Sequence, residues 1–356
     1  MSKYVLVINP GSTSTKIAVY RDEEPILEKT IIHPTAQIQQ FKIISSQHTF
    51  RKQMILDFLE EHQFDIHQLD AVCGRGGILR PLTSGTYIIN DLMIKELKLA
   101  LRGEHACNLG AIIADEIAQS LNIPAYTVDP VVVDEMEDIA RISGMPIIER
   151  QSIFHALNHK AIARRACHDV AKRYEDLNLI IVHMGGGISV AAHRHGRVVD
   201  VNDSLDGDGP MSPERSGTVP MGPLYKMCFS GQYTLDEVIK MNHGKGGLVA
   251  YLGSADAREI VKRIHEGDMY AKLIYDAMIY QIGKEIGAVS TIFCGAVDYI
   301  ILTGGLAHDE YVTTQLKKCT QFIAPVLIYP GENELLSLAQ GAMRVLNHQE
   351  TPKNYE

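Results

Sequence analysis

The 356 residues contain no C-x-x-C pair and no zinc-ligand spacing, although six cysteines occur, at 73, 107, 167, 228, 294 and 319. Cysteines scattered this way read as reduced thiols. A chain long enough for two substantial cores has no need of disulfide staples. No apolar run approaches the ~18 residues of a membrane span. No secretory-type segment precedes the first strand, so a cytoplasmic protein without a membrane partner is expected. Basic charge is not in excess: 34 Lys and Arg face 43 Asp and Glu, a net charge of −9. That balance argues against nucleic acid or an anionic membrane as the main partner. An anionic small substrate stays open, because a local basic pocket can oppose the global sign. Catalytic signatures are missing too. There is no G-x-x-x-x-G-K-[ST], no G-x-S-x-G, and no G-x-G-x-x-G opening a helix after a strand. These absences exclude a Walker A loop and a nucleophile elbow, and count against dinucleotide binding.

What is present is an α/β pattern. Hydrophobic residues make up 46% and charged residues 22%, ordinary values for a globular chain of roughly two domains. The stretch Val5–Tyr20 is an apolar run, a glycine-centred turn with four hydroxyls (Ser12 to Thr15), then Lys16 and a return run. It reads as a hairpin over 4–9 and 16–20, whose turn exposes N–H groups, hydroxyls and an ammonium. Such a concavity suits a phosphate, and equally makes an ordinary soluble turn. A further strand or two is expected over 24–35 and helical spacing over 37–63. A strand at 69–73 runs into Gly74-Arg75-Gly76-Gly77. Helices follow at 91–101 and 104–121, then a strand at 125–128 ending in Asp129. The breaker cluster Ser143–Pro146 marks a domain boundary. Beyond it come a helix over about 150–173, a strand at 179–183, the turn Gly185-Gly186-Gly187 and a strand at 188–192. An irregular loop spans 200–222. Helices are read at 234–241, 255–266 and 270–292, the last with Ile274, Met278, Ile282 and Ile286 at four-residue steps. A strand at 299–302 meets Gly304-Gly305. A strand at 326–329 and a helix at 333–346 follow, with a frayed tail of ten residues. Overlaying the chain on itself at an offset of 174 sets Val7 on Ile181, Asn9 on His183 and Gly11 on Gly185. Strand, glycine turn and return strand recur, which implies duplicated domains.

Several side chains could carry chemistry. Arg75 and Arg215 lie in glycine-bounded turns, and a guanidinium forks onto phosphate or carboxylate. His155 and His159 share one face if helical. They then form a solvated pair, hold a metal, or donate to a phosphoryl group. His183 ends a strand and reads as a structural histidine. Asp129 at a strand end suits Mg2+, directly or through water. Glu334 does so too, or simply favours a helix N-terminus.

Five motifs occur in order: Asn9-Pro-Gly-Ser-Thr-Ser-Thr-Lys16, Phe154-His-x-x-x-His159-Lys160, His183-Met-Gly-Gly-Gly187, Glu214-Arg-Ser-Gly217 and Ala255-Asp-Ala-Arg258. Together they resemble the acetate kinase-like (acetokinase) family of the actin/sugar-kinase/heat-shock ATPase superfamily. Gly74–Pro81 resembles its butyrate-directed members in particular. Where acetate kinases carry H-R-x-x-H-G-G this chain has Ala71–Gly77, and where they carry Asn it has Gly186.

The resemblance implies two duplicated actin-like (ribonuclease H-like) ATPase domains with a nucleotide cleft between them. These are 1–148, joined by the C-terminal segment 333–356, and 149–332. It implies ATP and Mg2+, ADP as product, and a short-chain fatty acid converted to its acyl phosphate, by a homodimer or higher homo-oligomer. Asn9, Ser12, Ser14 and Lys16 are then expected near the phosphates and metal, and His183 with Gly185, Gly186 and Gly187 at the nucleotide phosphates. Asn9, Asp129 and Glu334 would serve Mg2+ and its waters. His155 and Arg215 would contact the transferring phosphoryl, and Arg75 the acid's carboxylate. Asp256, Arg258, Gly304 and Gly305 would surround the adenosine.

Overall fold

The computed structural model describes residues 2–356. Two compact units emerge. One comprises the chain up to Val133 with Ala156–Asn158 and Asn333–Glu356, the other Asp134–His155 with His159–Glu332. The Ser143–Pro146 cluster therefore lies inside the second unit.

The first unit is built on β1 (Tyr4–Pro10), β2 (Ser14–Arg21), β3 (Glu24–Ile32), β4 (Ala71–Gly74), β5 (Thr86–Ile88) and β6 (Ala125–Val128). The sheet order is β3-β2-β1-β4-β6-β5. The first three strands are antiparallel neighbours, whereas β1, β4 and β6 run parallel. Both faces are covered, so β1 and β2 are apolar on both sides and not alternating. Leu6, Ile8, Ile17 and Val19 pack under the helix Asn108–Leu121. Val5, Val7, Ala18, Ala71 and Cys73 pack under the C-terminal helix Glu334–Leu346, through Leu335, Leu338, Ala339 and Ala342. A Cβ on Gly74 would lie 2.1 Å from the Gly110 carbonyl oxygen. Glycine is required there because the helix start presses on the backbone just before Arg75.

The second unit repeats the plan. Its strands are β7 (Asn178–Met184), β8 (Ile188–Arg194), β9 (Arg197–Val201), β10 (Tyr299–Gly304) and β11 (Val326–Pro330). They are ordered β11-β10-β7-β8-β9. Ile180, Val182 and Val190 meet the long helix Met269–Ser290, whose Ile274, Met278, Ile282 and Ile286 are buried as their spacing predicts. Leu179, Ile181 and Ile301 meet Ile162, Ala163 and Ala166 of the helix Ala156–Asp169.

Several expectations are corrected. The helix expected over 37–63 is regular only at His48–Glu61, after a short turn of helix and a 3-10 segment. The helix expected from 150 begins at Ala156, and the one from 104 at Asn108. The 200–222 loop ends in a helix, Met221–Cys228. The tail is not frayed. Lys353 hydrogen-bonds the backbone of Thr86 and Ile88, and Tyr355 is 5% exposed with its hydroxyl on Glu96 at 2.6 Å. Side-chain burial, which polarity of sequence does not reveal, holds these residues down. All six cysteines are free thiols. Among the described residues no helix is long and apolar enough to cross a membrane.

Candidate active site

In the first unit, polar side chains collect at the carboxyl ends of the parallel strands, the usual place for a ligand in an open α/β sheet. Asn9 lies on the same face of β1 as Val5 and Val7. Strand alternation therefore aims it at the start of the C-terminal helix. Its Nδ2 donates to Glu334 Oε2 at 2.5 Å. Arg75 Nη1 donates to Glu334 Oε1 at 2.5 Å and to Asn9 Oδ1 at 3.3 Å. Among the described residues the guanidinium's Nε and Nη2 have no hydrogen-bond partner, which leaves part of its fork for an anion. Glu334 opens a helix capped by Asn333, where a carboxylate is favoured by the dipole.

The turn after β1 is closed by Gly11 N–H donating to the Ser14 carbonyl at 2.7 Å. Ser12, Thr13 and Lys16 are exposed, Ser14 is half-buried, and Lys16 pairs in register with Asn9. Asp129 is buried just past β6, and its Oδ1 accepts from Ser84 Oγ at 2.6 Å and from Gly85 N–H at 2.8 Å. Its carboxylate thus also holds a turn.

In the second unit, His155 does not share a helical face with His159. It stands before the helix and its carbonyl accepts from His159 N–H. Its ring centroid lies 4.8 Å from that of His183, at the end of β7. Glu332 joins them: Oε1 is 3.2 Å from His183 Nε2, and Oε2 is 3.8 Å from His155 Nε2. Ligand atoms of the three lie within 4.8 Å of one another. Two imidazoles and one carboxylate would suit a transition metal rather than Mg2+. His159 hydrogen-bonds elsewhere, although its ring centroid lies 6.1 Å from that of His183. It is fully buried, with Nε2 2.8 Å from Ser189 Oγ and Nδ1 3.3 Å from His193 Nε2. His193 Nδ1 lies 2.6 Å from the Tyr174 hydroxyl. Burial pushes both imidazoles well below their ordinary range. Lys160, next along, is consumed in a buried pair with Glu135 at 2.6 Å.

The glycine turn after β7 packs on the loop that carries Arg215. Gly186 carbonyl accepts from Ser212 Oγ at 2.6 Å and from Glu214 N–H at 3.0 Å. A Cβ on Gly187 would come 2.8 Å from the Ser204 carbonyl oxygen. Among the described residues Arg215 Nη1 reaches only Glu214, at 3.4 and 3.5 Å, and its buried Nε has no partner. Gly304 and Gly305 close β10, with Gly304 bonded to Gly331 in both directions. Asp256 caps the helix Ala257–His265 and pairs with Arg258 at 2.8 Å. Those hydrogen bonds from Arg258 hold its carboxyl down to about 2. Both residues are open to solvent.

Two neighbours escape a sequence reading. Glu332 follows Pro330-Gly331 at a strand end, a signal available but shadowed by Glu334. Arg51 sits in the first turn of the helix His48–Glu61, where arginine is ordinarily solvated, yet it is buried under the Gly11–Thr15 turn.

Comparison with known proteins follows the same lines. The Acetokinase family profile matches residues 147–329. Butyrate kinase 1 of Clostridium acetobutylicum is 54% identical over 352 residues, 99% of each chain. Among solved structures, acetate kinase of Porphyromonas gingivalis superposes with a TM-score of 0.82 at 21% identity, covering 97% of this chain and 100% of that one. A propionate kinase of Francisella tularensis superposes with a TM-score of 0.74 at 19% identity, covering 95% and 98%. At that identity these two structures show the fold, the duplicated actin-like ATPase architecture.

Proposed function

As the chain belongs to the acetokinase family, we propose that it is a butyrate kinase. It transfers the γ-phosphoryl group of ATP to butanoate, giving ADP and butanoyl phosphate, reversibly and by direct in-line displacement, in the cytoplasm. The observation that carries this reading is the 54% identity to a butyrate kinase from end to end.

The chemistry explains the kind of groups found. A short fatty acid has a pKa of about 4–5, like side-chain carboxyls, and is ionised at pH 7. It needs no general base. The obstacle is repulsion between a carboxylate and a triphosphate, which cationic and hydrogen-bonding donors offset. Arg75, held by Glu334 and Asn9 with donors to spare, receives the acid. His155 and Arg215 donate to the oxygens of the transferring phosphoryl. Ser12, Ser14 and Lys16 serve the same end of ATP. His183 and Gly185–Gly187 face the nucleotide phosphates, while Asp256, Arg258, Gly304 and Gly305 flank the adenosine. Asn9, Asp129 and Glu334 present oxygen donors, the kind Mg2+ takes, and are the residues that would hold it with its waters. When bound, the ion neutralises phosphate charge. A homo-oligomer is part of the reading. Met269, Leu273 and Tyr280 expose apolar surface on one helix.

The test is a panel of acetate, propionate, butyrate, isobutyrate and valerate, ranked by kcat/KM with hydroxamate trapping of the acyl phosphate. Butyrate should lead acetate by tenfold or more, since each methylene is worth about 1–3 kcal/mol. Equal activity on acetate would overturn the assignment.

A further inference from the structure

The buried arginine beneath the first glycine turn has a role that its chemistry defines. Arg51 lies on the helix His48–Glu61 and is 1% exposed. Among the described residues no carboxylate pairs with it. Its donors go to the turn instead. Nη1 donates to the carbonyls of Gly11 at 2.7 Å and Ser14 at 3.1 Å, and to Thr15 Oγ1 at 3.2 Å. Nη2 donates to the Ser12 carbonyl at 3.1 Å. Gln47 Oε1, one helical turn back, accepts from Nη2 at 2.8 Å and from Nε at 3.1 Å, fixing the plane of the guanidinium. The Thr13 carbonyl is taken by His33 N–H at 2.9 Å. His33 Nε2 lies 2.8 Å from Thr15 Oγ1. Burial and the neighbouring Arg51 charge push its imidazole down to about 4.

Every carbonyl from Gly11 to Ser14 is therefore held by a protein donor, three of the four by one guanidinium. All peptide bonds here are trans. In a planar trans peptide the C=O and the following N–H point in opposite directions. Drawing the Gly11 and Ser12 carbonyls down onto Arg51 aims the N–H groups of Ser12 and Thr13 up, away from the core. Both residues are exposed. Successive outward N–H groups form an anion-binding concavity. The buried cation beneath, with no counter-ion among the described residues, adds to the same sign of potential. Thr15 and His33 complete a neutral shell that leaves this charge uncancelled.

We propose that Arg51 is the positioning residue of this turn: it sets the peptide planes so that the Ser12 and Thr13 amides receive the terminal phosphate of ATP. Arg51 itself touches no substrate. The proposal rests on the kinase reading for its ligand, and on the geometry alone for its mechanism.

The experiment compares Arg51→Met and Arg51→Lys with the wild-type chain, each at a temperature well below its own melting midpoint. The probes are AMP-PNP and ADP, each with Mg2+, titrated by calorimetry without any acid present. Met removes the charge and the fork, whereas Lys keeps the charge and can reach only part of the carbonyl ring. AMP-PNP affinity should fall about a hundredfold in Arg51→Met and about tenfold in Arg51→Lys, with ADP changed less than threefold. In turnover, KM for ATP should rise by similar factors and KM for the acid should stay. A merely structural arginine would lower the melting midpoint and weaken both nucleotides alike, and that result overturns the proposal. Wild-type AMP-PNP affinity in a folded variant overturns it too. Should Arg51→Met not fold, the AMP-PNP to ADP ratio in Arg51→Lys decides alone. If the wild-type chain binds AMP-PNP yet phosphorylates no acid, the kinase reading fails while the Arg51 ratio still stands or falls by itself.

Discussion

Replacing Arg215 by alanine separates chemistry from stability. The loop that carries it is fixed by groups other than its side chain. Arg215 N–H donates to Ser212 Oγ at 3.0 Å, and its carbonyl accepts from Ser212 N–H at 3.1 Å. Ser212 Oγ is anchored on the Gly186 carbonyl, and Leu248 N–H on the Ser212 carbonyl. The guanidinium adds only the 3.4 and 3.5 Å contacts to Glu214, from a side chain 19% exposed. Contacts that long, the ionic one to a carboxylate 44% exposed, contribute about 0–1 kcal/mol. Arg215→Ala should therefore shift the melting midpoint by no more than about 2–3 °C in a chain of this size. Turnover should behave differently. Losing one donor to a transition-state oxygen costs about 2.7–4 kcal/mol, or 10²–10³ in kcat. KM for ATP should change by no more than about threefold, because in the proposed role the donor acts on the transferring group. Arg215→Lys keeps a point charge without the fork and should fall between. The assay is hydroxamate-trapped acyl phosphate alongside thermal melts of the same preparations. Near-normal kcat in a folded Arg215→Ala chain would remove Arg215 from the mechanism. A large loss of kcat with a collapsed midpoint would show that the loop depended on the side chain.

Two further outcomes concern stability. Deleting residues 353–356 removes the buried Tyr355 ring, its hydroxyl contacts with Glu96 and Arg80, and the Lys353 backbone pairing. Ring burial and the lost hydrogen bonds together give a loss of about 3–5 kcal/mol in urea unfolding, and an unchanged midpoint would refute the tethered tail. His159 and His193 are neutral in the fold but charge on unfolding once pH drops below about 6.5, so the unfolded state binds the extra protons. Stability should be level above that pH and fall below it, by about 1.4 kcal/mol per pH unit for each of these two imidazoles, with His33 adding to the fall in the same direction. Urea midpoints from pH 7.5 to 5 measure it, and a flat profile would contradict the assignment.

How much of this is legible in sequence depends on what each residue answers to. The hairpin β1–β2, the strands at 179–183 and 299–302, and the long helix at 270–292 follow from apolar runs and periodicity. Burial at those positions is decided locally. Helix starts are less legible: residues 150–155 continue the helical spacing, but His155 leaves it to meet His183. A pattern of apolar positions carries no record of that tertiary pull. β5 is three residues long and is invisible for the same reason. In the candidate site, Arg75 and Arg215 stood out, because nearby glycines mark their turns. Arg51 did not, since nothing adjacent in sequence distinguishes a helix arginine facing water from one facing a carbonyl ring.

The two units share few identical residues at matching positions, Val7 against Ile181 and Asn9 against His183 for example, and the two sheets show the physical cause. On the offset of 174, Val5, Val7 and Asn9 match Leu179, Ile181 and His183. In each unit the two apolar positions pack under a helix that covers the same face of the sheet. In each, the third position meets the group at that helix's start: Glu334 for Asn9, His155 for His183. The intervening positions also correspond, Leu6 and Ile8 against Ile180 and Val182, each pair under the helix on the opposite face. Scaffold positions thus keep their character because burial constrains them. The candidate site positions diverge in kind, as the proposed division of chemistry between the two units requires. One presents carboxylate, amide and guanidinium groups suited to a hard cation and a carboxylate. The other presents imidazole and guanidinium donors suited to phosphoryl oxygens. An overlay scored by identity is weakest at the residues that make the repeat useful, so the duplication shows in pairing order and burial rather than in matching letters.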